Sequence, residues 1–186
     1  MTTHWSQKRE IIHLYDSTAE FYETRYAEEQ EAKYKVALEN TTPSGKVLDV
    51  GCGTGLFFRH IVRETEAIIG IDSSKNILIV AQNYVRGRES IHLVQADADH
   101  IPFLQDFFDA VFSFTMLQNM PKPVETLKEF RRVAKPDSQI IVTGLKKVIS
   151  MENLKEMIER AGLRQVSIIN ETILMCYLAI SLKCST

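Results

Sequence analysis

The stretch Lys46-Val47-Leu48-Asp49-Val50-Gly51-Cys52-Gly53-Thr54-Gly55-Leu56-Phe57-Phe58 decides the fold of this chain. An apolar run ends at the carboxylate of Asp49, glycines follow at alternate positions, and a new apolar pattern begins at Leu56. This order predicts a buried strand, a tight turn and a helix that reaches about Glu64. Glycine lets the backbone pass close to a bound molecule, because no Cβ stands in the way. The first N–H groups of the helix face the same space. We therefore expect a ligand at this turn.

The bulk properties indicate an ordinary soluble globular domain. The chain has 186 residues, 45% of them hydrophobic and 25% charged, and a net charge of −2. This size suits a single domain, with N-terminal helices at 1–40 and a sheet core at 41–186. The small net charge does not favour direct nucleic-acid binding or an anionic membrane surface. Three scattered cysteines and the absence of an apolar leader or span predict a cytoplasmic protein with no membrane segment.

Apolar runs alternate with helical periods along the rest of the chain. The first five strands are predicted at 46–50, 67–71, 91–95, 107–114 and 139–143. Two more runs, 166–170 and 173–182, are separated only by Glu171-Thr172, so they are expected to pair as an antiparallel hairpin. The predicted fold is α/β, with a Rossmann-like, doubly wound, seven-stranded sheet that is mostly parallel and ends in an antiparallel hairpin strand. The helical period of 1–40 predicts an amphipathic helix or a helix pair before it.

Three acids follow the predicted strands, at the sheet edge where open α/β folds bind ligands. Asp49 lies near the end of the first strand, Asp72 closes the second and Asp97 closes the third. Asp72 stands 21 residues after Gly51, where an acid can accept both hydrogen bonds of a ribose diol, although it can also cap the next helix. Asp97, with the N–H of Ala98, can read the amino edge of an adenine, or it is only a loop or cap residue.

The glycine turn does not match a dinucleotide site. The fingerprint G-x-G-x-x-G needs a third glycine where this chain has Leu56, and the glycine has moved to Gly55. A carboxylate at Asp49 would repel a pyrophosphate but suits a cationic or amine-bearing ligand. Glycines alone indicate either a ligand turn or a mere tight turn. Asp49 favours a ligand other than a dinucleotide.

The pattern D-V-G-C-G-T-G at 49–55, followed by Asp72 and Q-A-D-A at 95–98, resembles the class I S-adenosylmethionine-dependent methyltransferases. The final hairpin is similar to theirs, and the resemblance runs from about residue 10 to the end. It implies S-adenosylmethionine as cofactor and S-adenosylhomocysteine as product, with the methionine half near the glycine turn, the ribose at Asp72 and the adenine at Asp97. The cofactor-binding residues that it implies are Tyr15, Tyr22, Asp49, Gly51, Cys52, Gly53, Gly55, Asp72, Ser73, Asp97, Ala98, Phe114 and Thr115.

The N-terminal segment Y-D-S-T-A-E-F-Y, at 15–22, looks like a segment that many such enzymes fold over the cofactor. Tyr15 and Tyr22 share a helix face, so both can lean on the sulfonium or the carboxylate of the ligand. Simple packing in the core would explain them equally well. The sequence leaves both interpretations open.

No catalytic residue can be assigned from the sequence. The family's small-molecule members carry a His pair after the fourth strand, where this chain has Leu117-Gln118-Asn119-Met120-Pro121. Gln118 and Asn119 are candidates for substrate contact, but an amide cannot act as a base at neutral pH. No Cys-x-x-Cys or His cluster indicates a metal, so a metal-free site is expected.

The methyl acceptor is the open question. Few residues are inserted after the fifth strand, which favours a small-molecule acceptor over a large one. One alternative is the catalytic subunit of a tRNA- or protein-modifying complex that needs a partner. Another is a non-catalytic scaffold that binds S-adenosylmethionine. A homodimer and a complex with a small activating subunit both stay open.

Overall fold

The structure, a computed structural model, describes residues 4–185, except for the side chains of Glu20 and Tyr22. The six helices are α1 His4–Thr18, α2 Tyr22–Asn40, α3 Phe58–Ile61, α4 Lys75–Val85, α5 Pro123–Val133 and α6 Met151–Arg160. The seven strands are β1 Lys46–Val50, β2 Ala67–Asp72, β3 Ile91–Gln95, β4 Phe108–Ser113, β5 Ala134–Leu145, β6 Arg164–Ile169 and β7 Cys176–Leu182. Short 3-10 turns lie at Ala19–Phe21 and Leu117–Asn119.

All seven strands form one sheet in the order β3-β2-β1-β4-β5-β7-β6. The pairs from β3 across to β5 are parallel, whereas β7 runs antiparallel to both β5 and β6. The chain reverses its winding direction between β1 and β4, and open α/β sheets bind ligands at such a switch point. The predicted fold class is confirmed, and so is the N-terminal pair of helices.

The two faces of the sheet bury two separate apolar clusters, because successive strand residues point to opposite sides. On one face Leu48 of β1 belongs to a cluster with Phe130 of α5 and Leu154 of α6. On the other face Val47 belongs to a cluster with Tyr34 of α2 and with the segment after the glycine turn. The sheet is therefore covered on both sides, as the continuously apolar strands require.

The helix after the glycine turn is shorter than predicted. It spans only Phe58–Ile61, whereas the pattern predicted a helix as far as Glu64. Around it the backbone makes three-residue turns, with His60 N–H donating to Phe57 O and Glu64 N–H to Ile61 O. Phe57 and Phe58 are both fully buried. The segment is thus fixed by two buried aromatic rings rather than by a regular helix.

The connection between β6 and β7 is longer than the predicted two-residue turn. It covers residues 170–175, because β6 ends at Ile169 and β7 begins only at Cys176. The last strand was predicted to begin at Ile173, but its first apolar residues lie in the loop instead. There Ile173 is 73% exposed and Met175 is 48% exposed. In the sheet, β7 lies between β5 and β6, and β6 is the edge strand. The loop that joins β6 to β7 therefore lies at the outer edge of the sheet.

Strand β5 begins earlier than predicted. The Lys135–Ser138 segment was expected to be a turn, but it forms the first part of a strand from Ala134 to Leu145. Its register against β4 shifts after Phe108, and Asp137 has a left-handed φ of 60°. The turn residues therefore produce an irregularity within the strand and do not end it.

Within residues 4–185, no helix is long and apolar enough to cross a membrane. Cys52, Cys176 and Cys184 are free thiols, and the first two are buried. The cytoplasmic location stays a prediction.

Gly70 in the centre of β2 is expected to tolerate no side chain. A Cβ added there would lie 2.5 Å from the ring of Phe58 and 2.9 Å from Sγ of Cys52. Gly70→Ala should lower the free energy of unfolding by about 1–3 kcal/mol, because overpacking forces the core apart. Gly144→Ala in β5 is the matched control, since its Cβ would meet nothing closer than 3.4 Å. Urea unfolding of both variants tests this, and equal midpoints would contradict it.

Candidate active site

A cavity of about 330 Å³ lies at the carboxyl ends of β1, β2, β3 and β4, and α1 forms its outer wall. This volume is at the lower end of the range for small-molecule sites, about 300–1,000 Å³. Ten of the residues predicted for cofactor or substrate line the cavity: Tyr15, Gly51, Gly53, Asp72, Ser73, Asp97, Ala98, Phe114, Thr115 and Asn119. The structure therefore brings most of the predicted set to one place.

The other predicted residues lie elsewhere. Asp49 and Cys52 line a second, much smaller polar cavity behind Gly51. Gly55 lines neither cavity, and neither does Gln118, whose amide donates to the Thr115 carbonyl at 2.7 Å. The side chain of Tyr22 lies outside the described residues.

The glycine turn is a cradle that a side chain would fill. Gly51 has φ of 73°, and a Cβ there would lie 3.0 Å from the side chain of Met116. The N–H groups of Gly51 and Cys52 both donate to the carbonyl of Ile71, at 2.8 and 3.0 Å, which ties the turn to β2. The hydroxyl oxygen of Thr54 is buried without a hydrogen-bond partner among the described residues. The turn thus leaves both space and an unsatisfied polar group.

Asp72 is held by the backbone and does not cap the next helix. Its carboxylate accepts from the N–H of Ser74 at 2.9 Å and from the N–H of Gly53 at 3.1 Å. The cap of α4 is Ser74, whose hydroxyl accepts from the N–H of Ile77. Burial raises the pKa of Asp72, and the N–H groups that it accepts from partly oppose this effect. Asp72 is therefore a fixed carboxylate on the wall of the cavity.

Asp49 is a buried acid beside the glycine turn. Its side chain is 2% exposed. Burial, and secondarily the charge of Asp72, raises the pKa of Asp49 to about 8. Gln30 and Thr54 also line the small second cavity that Asp49 faces. A carboxylate in such a place gains most from a cation brought close to it.

Thr115 joins the cavity to a buried polar network under α2. It has a left-handed φ of 57°, and its N–H donates to the Thr143 hydroxyl at 2.7 Å. Its own hydroxyl accepts from Lys33 Nζ at 2.7 Å and from the amide of Gln30 at 3.2 Å. Lys33 is fully buried and also pairs with Glu29 at 2.8 Å. Neither Lys33 nor Gln30 could be predicted from local patterns, because both lie in a charged helix that has no distinctive motif.

Helix α1 contributes side chains that the sequence analysis missed. Trp5, Lys8, Ile11 and Ile12 line the cavity beside Tyr15. The Tyr15 hydroxyl accepts a hydrogen bond from the Asn119 amide at 3.2 Å. Burial raises the pKa of Tyr15, the hydrogen bond from Asn119 lowers it, and the charge of Asp72 raises it again. Tyr15 is thus a neutral phenol on the cavity wall.

The segment after β4 closes the remaining side with Met116, Asn119 and Met120. Two thioethers and an amide give this side an apolar surface with one polar group. Within residues 4–185, no group of three or more His, Cys, Asp or Glu side chains is placed to hold a metal ion. The metal-free site stays a prediction.

Comparison with known proteins identifies the class of protein to which this chain belongs. The sequence profile of the family described as "Methyltransferase domain" matches residues 48–142, which reach from β1 into β5. The chain therefore belongs to this family, within the class I S-adenosylmethionine-dependent methyltransferases, and its cofactor is S-adenosylmethionine.

The chain is also similar in sequence to curated methyltransferases. The chain is 37% identical over 105 residues to the demethylmenaquinone methyltransferase of Staphylococcus saprophyticus, covering 55% of this chain and 45% of that protein. It is 36% identical over 107 residues to the Bacillus licheniformis enzyme of the same name, covering 56% and 46%. The chain thus matches about half the length of these relatives.

Solved structures show the same fold at low identity. One chain in the complex between the Haloferax volcanii Trm112 methyltransferase activator and a methyltransferase superposes with a TM-score of 0.81 and 18% identity, covering 92% of this chain and 96% of that one. An S-adenosylmethionine-dependent methyltransferase of Aquifex aeolicus superposes with a TM-score of 0.71 and 21% identity, covering 80% and 87%.

Proposed function

We propose that this chain binds S-adenosylmethionine in the 330 Å³ cavity and transfers its methyl group to an apolar small-molecule acceptor. One observation carries the proposal. The glycine turn and two of the predicted acids, Asp72 and Asp97, meet around a single cavity at the switch point of the sheet, and Asp49 lies directly behind it.

The residues of the cavity fit the two ends of the cofactor. Asp72 would hold the ribose diol. Asp97, whose carboxylate also accepts from Lys8, would hold the adenine together with the N–H of Ala98. The Gly51 turn would hold the methionine half, with the acid of Asp49 near its positive charge. Two features support this fit: a cradle at Gly51 that a Cβ would fill, and the orphaned hydroxyl of Thr54 beside Asp49.

When bound, the cofactor supplies an electrophilic methyl group, so the protein has mainly to orient the reactants and exclude water. Helix α1 covers the cavity and would exclude water from it. The residues 1–40 would thus serve as a lid on the core at 41–186. The neutral Tyr15 phenol and the Asn119 amide form a hydrogen-bonded pair on the wall, where they can orient a polar group of the acceptor.

The acceptor is proposed to be an apolar, ring-bearing small molecule of the demethylmenaquinone kind. Two observations support it. Several curated relatives are named demethylmenaquinone methyltransferases. In addition, Trp5, Met116 and Met120 contribute apolar surface to the lining of the cavity. A polarizable thioether surface suits a flat aromatic ring.

Calorimetry tests the cofactor site first. Titration with S-adenosylmethionine and with S-adenosylhomocysteine should show one site per chain, and NAD serves as the mismatched control ligand. No heat of binding at millimolar ligand would contradict the proposal. A radiolabelled methyl-transfer assay then compares a demethylmenaquinone analogue with tRNA and with a protein extract. Transfer to tRNA or protein alone would overturn the acceptor class.

A second candidate is the catalytic subunit of a two-protein enzyme. It is favoured by the fold match to the complex with a methyltransferase activator, which covers 92% of this chain. In that case the isolated chain would bind the cofactor weakly and a small protein would copurify with it from its native host. If the isolated chain binds the cofactor but transfers no methyl group to any acceptor, the non-catalytic scaffold becomes the better explanation.

A further inference from the structure

Helix α1 covers the cavity without being part of either apolar core. None of its residues is buried, although five of them line the cavity. At its C-terminal end Asp16 accepts hydrogen bonds from the Ser74 hydroxyl at 2.5 Å and from the N–H of Asn76 at 3.1 Å. The helix therefore meets the rest of the chain through half-buried side chains and polar contacts, without a fully buried apolar face.

The N-terminal half of α1 is tied down by one lysine. Lys8 Nζ lies 2.6 and 2.8 Å from the two oxygens of Asp97 and 2.5 Å from an oxygen of Asp99. The three side chains are only 13%, 27% and 16% exposed. Charge-assisted hydrogen bonds of this kind are stronger than exposed ion pairs, because less water competes for them.

The two carboxylates are fixed on the core side. Asp99 also accepts from the hydroxyl of Thr126 in α5, and its own N–H donates to Asp97 at 3.0 Å. Lys8 therefore bridges α1, a helix without buried residues, to two carboxylates that the core side holds in place. Without Lys8, two negative charges would face each other at the edge of the cavity, and α1 would lose this anchor.

We propose that Lys8 is a latch that closes α1 over the ligand cavity by bridging Asp97 and Asp99. The proposal rests on the proposed function, because the ligand whose exchange it controls is the cofactor. Since α1 forms the outer wall of the cavity, a ligand leaves only after α1 moves, and α1 moves only after both ion pairs break. Lys8 is thus a positioning residue that acts on ligand release through Asp97, Asp99 and α1.

The chain carries its own probe for this motion. Its single tryptophan, Trp5, lies on α1 and lines the cavity. Stopped-flow fluorescence can follow release of S-adenosylhomocysteine when it is displaced by excess S-adenosylmethionine. Lys8→Met should accelerate release by about tenfold, because charged hydrogen bonds are lost. Arg9→Met is the matched control: Arg9 is exposed on the same helix, and its loss should change the rate by less than about twofold.

Two further variants separate a latch from a general loss of stability. Lys8→Arg should restore slow release, because a guanidinium can bridge two carboxylates. Asp99→Asn removes one ion pair, leaves Asp97 in place, and should give an intermediate rate. Raising the salt from about 0.05 to about 0.5 M should speed release in the wild type much more than in Lys8→Met, because salt screens the ion pairs.

The latch can also be tested without any ligand. Hydrogen exchange at the backbone amides of α1 should be faster in Lys8→Met than in the wild type and Arg9→Met, since α1 opens more often. If wild type binds no cofactor but this difference is present, the proposed function fails and the latch stands. If Lys8→Met matches Arg9→Met both in release rate and in hydrogen exchange of α1, the latch is overturned.

Discussion

Asp72→Ala is expected to weaken binding of S-adenosylmethionine by more than about a hundredfold. The variant removes a carboxylate that would accept both hydrogen bonds of the ribose diol, and each hydrogen bond to a charged group contributes about 1.5–3 kcal/mol. It also removes the acceptor for the N–H groups of Gly53 and Ser74, so the glycine turn loses a tie to β2. Isothermal titration with S-adenosylhomocysteine measures the change.

Two companion variants show whether the effect belongs to the ribose site. Asp72→Asn keeps the shape and one acceptor oxygen, so its affinity should fall between those of the wild type and Asp72→Ala. Asp106→Asn removes a comparable carboxylate that is exposed and pairs with Lys183 outside the cavity, so it should leave the affinity unchanged. An unchanged affinity in Asp72→Ala would show that Asp72 does not hold the ribose.

Asp49→Asn is expected to stabilise the ligand-free protein at neutral and alkaline pH. The pKa of Asp49 is about 8 in the folded chain, against 3.8 for an ordinary aspartate. A group whose pKa is raised by folding contributes stability below its unfolded pKa, and this contribution is lost as the pH rises toward 8. The loss is at most about 1.4 kcal/mol per pH unit. Asparagine has no proton to lose, so it avoids this penalty.

Urea unfolding at about pH 5 and about pH 8 measures the free energy of unfolding of both proteins. Between these pH values the wild type should lose about 4 kcal/mol more of this free energy than Asp49→Asn. Groups that do not interact with Asp49 titrate equally in both proteins and cancel. Parallel pH profiles for the two proteins would contradict the buried, protonated state of Asp49.

The same acid makes cofactor binding depend on pH. A positive charge placed beside Asp49 favours its ionised form, so binding below about pH 8 should release a proton. The affinity of the wild type should therefore rise with pH up to about 8 and then level off. Asp49→Asn should bind more weakly and without this slope. Calorimetry in two buffers of different ionisation enthalpy counts the protons released.

The sequence predicted the fold and the strand-end acids well, because both depend on local patterns. The apolar runs before Asp49, Asp72 and Asp97 are strands, and the topology brings their ends to one edge. The third helix and the β6–β7 connection were predicted wrongly. In the segment around α3, the buried rings of Phe57 and Phe58 hold a series of turns. The same spacing of apolar residues would fit a helix, so periodicity alone cannot distinguish the two.

The wall of the site could not be predicted from local patterns. Lys8 meets Asp97 across 89 residues, and Lys33 meets Thr115 across 82. Neither lysine stands in a motif, and on a helix each is indistinguishable from the solvated lysines around it. Only the packing of α1 and α2 over the sheet gives them partners.

The position of β7 has a consequence for the order in which the chain is made. β6 pairs in the sheet only with β7, and β7 separates it from β5. During synthesis β6 leaves the ribosome first, yet it has nothing to pair with, and the edge of β5 stays open until residues 176–182 emerge. An open strand edge invites pairing with other chains. The nascent protein is thus most exposed to misassembly just before its seventh strand arrives, and that strand protects two others at once.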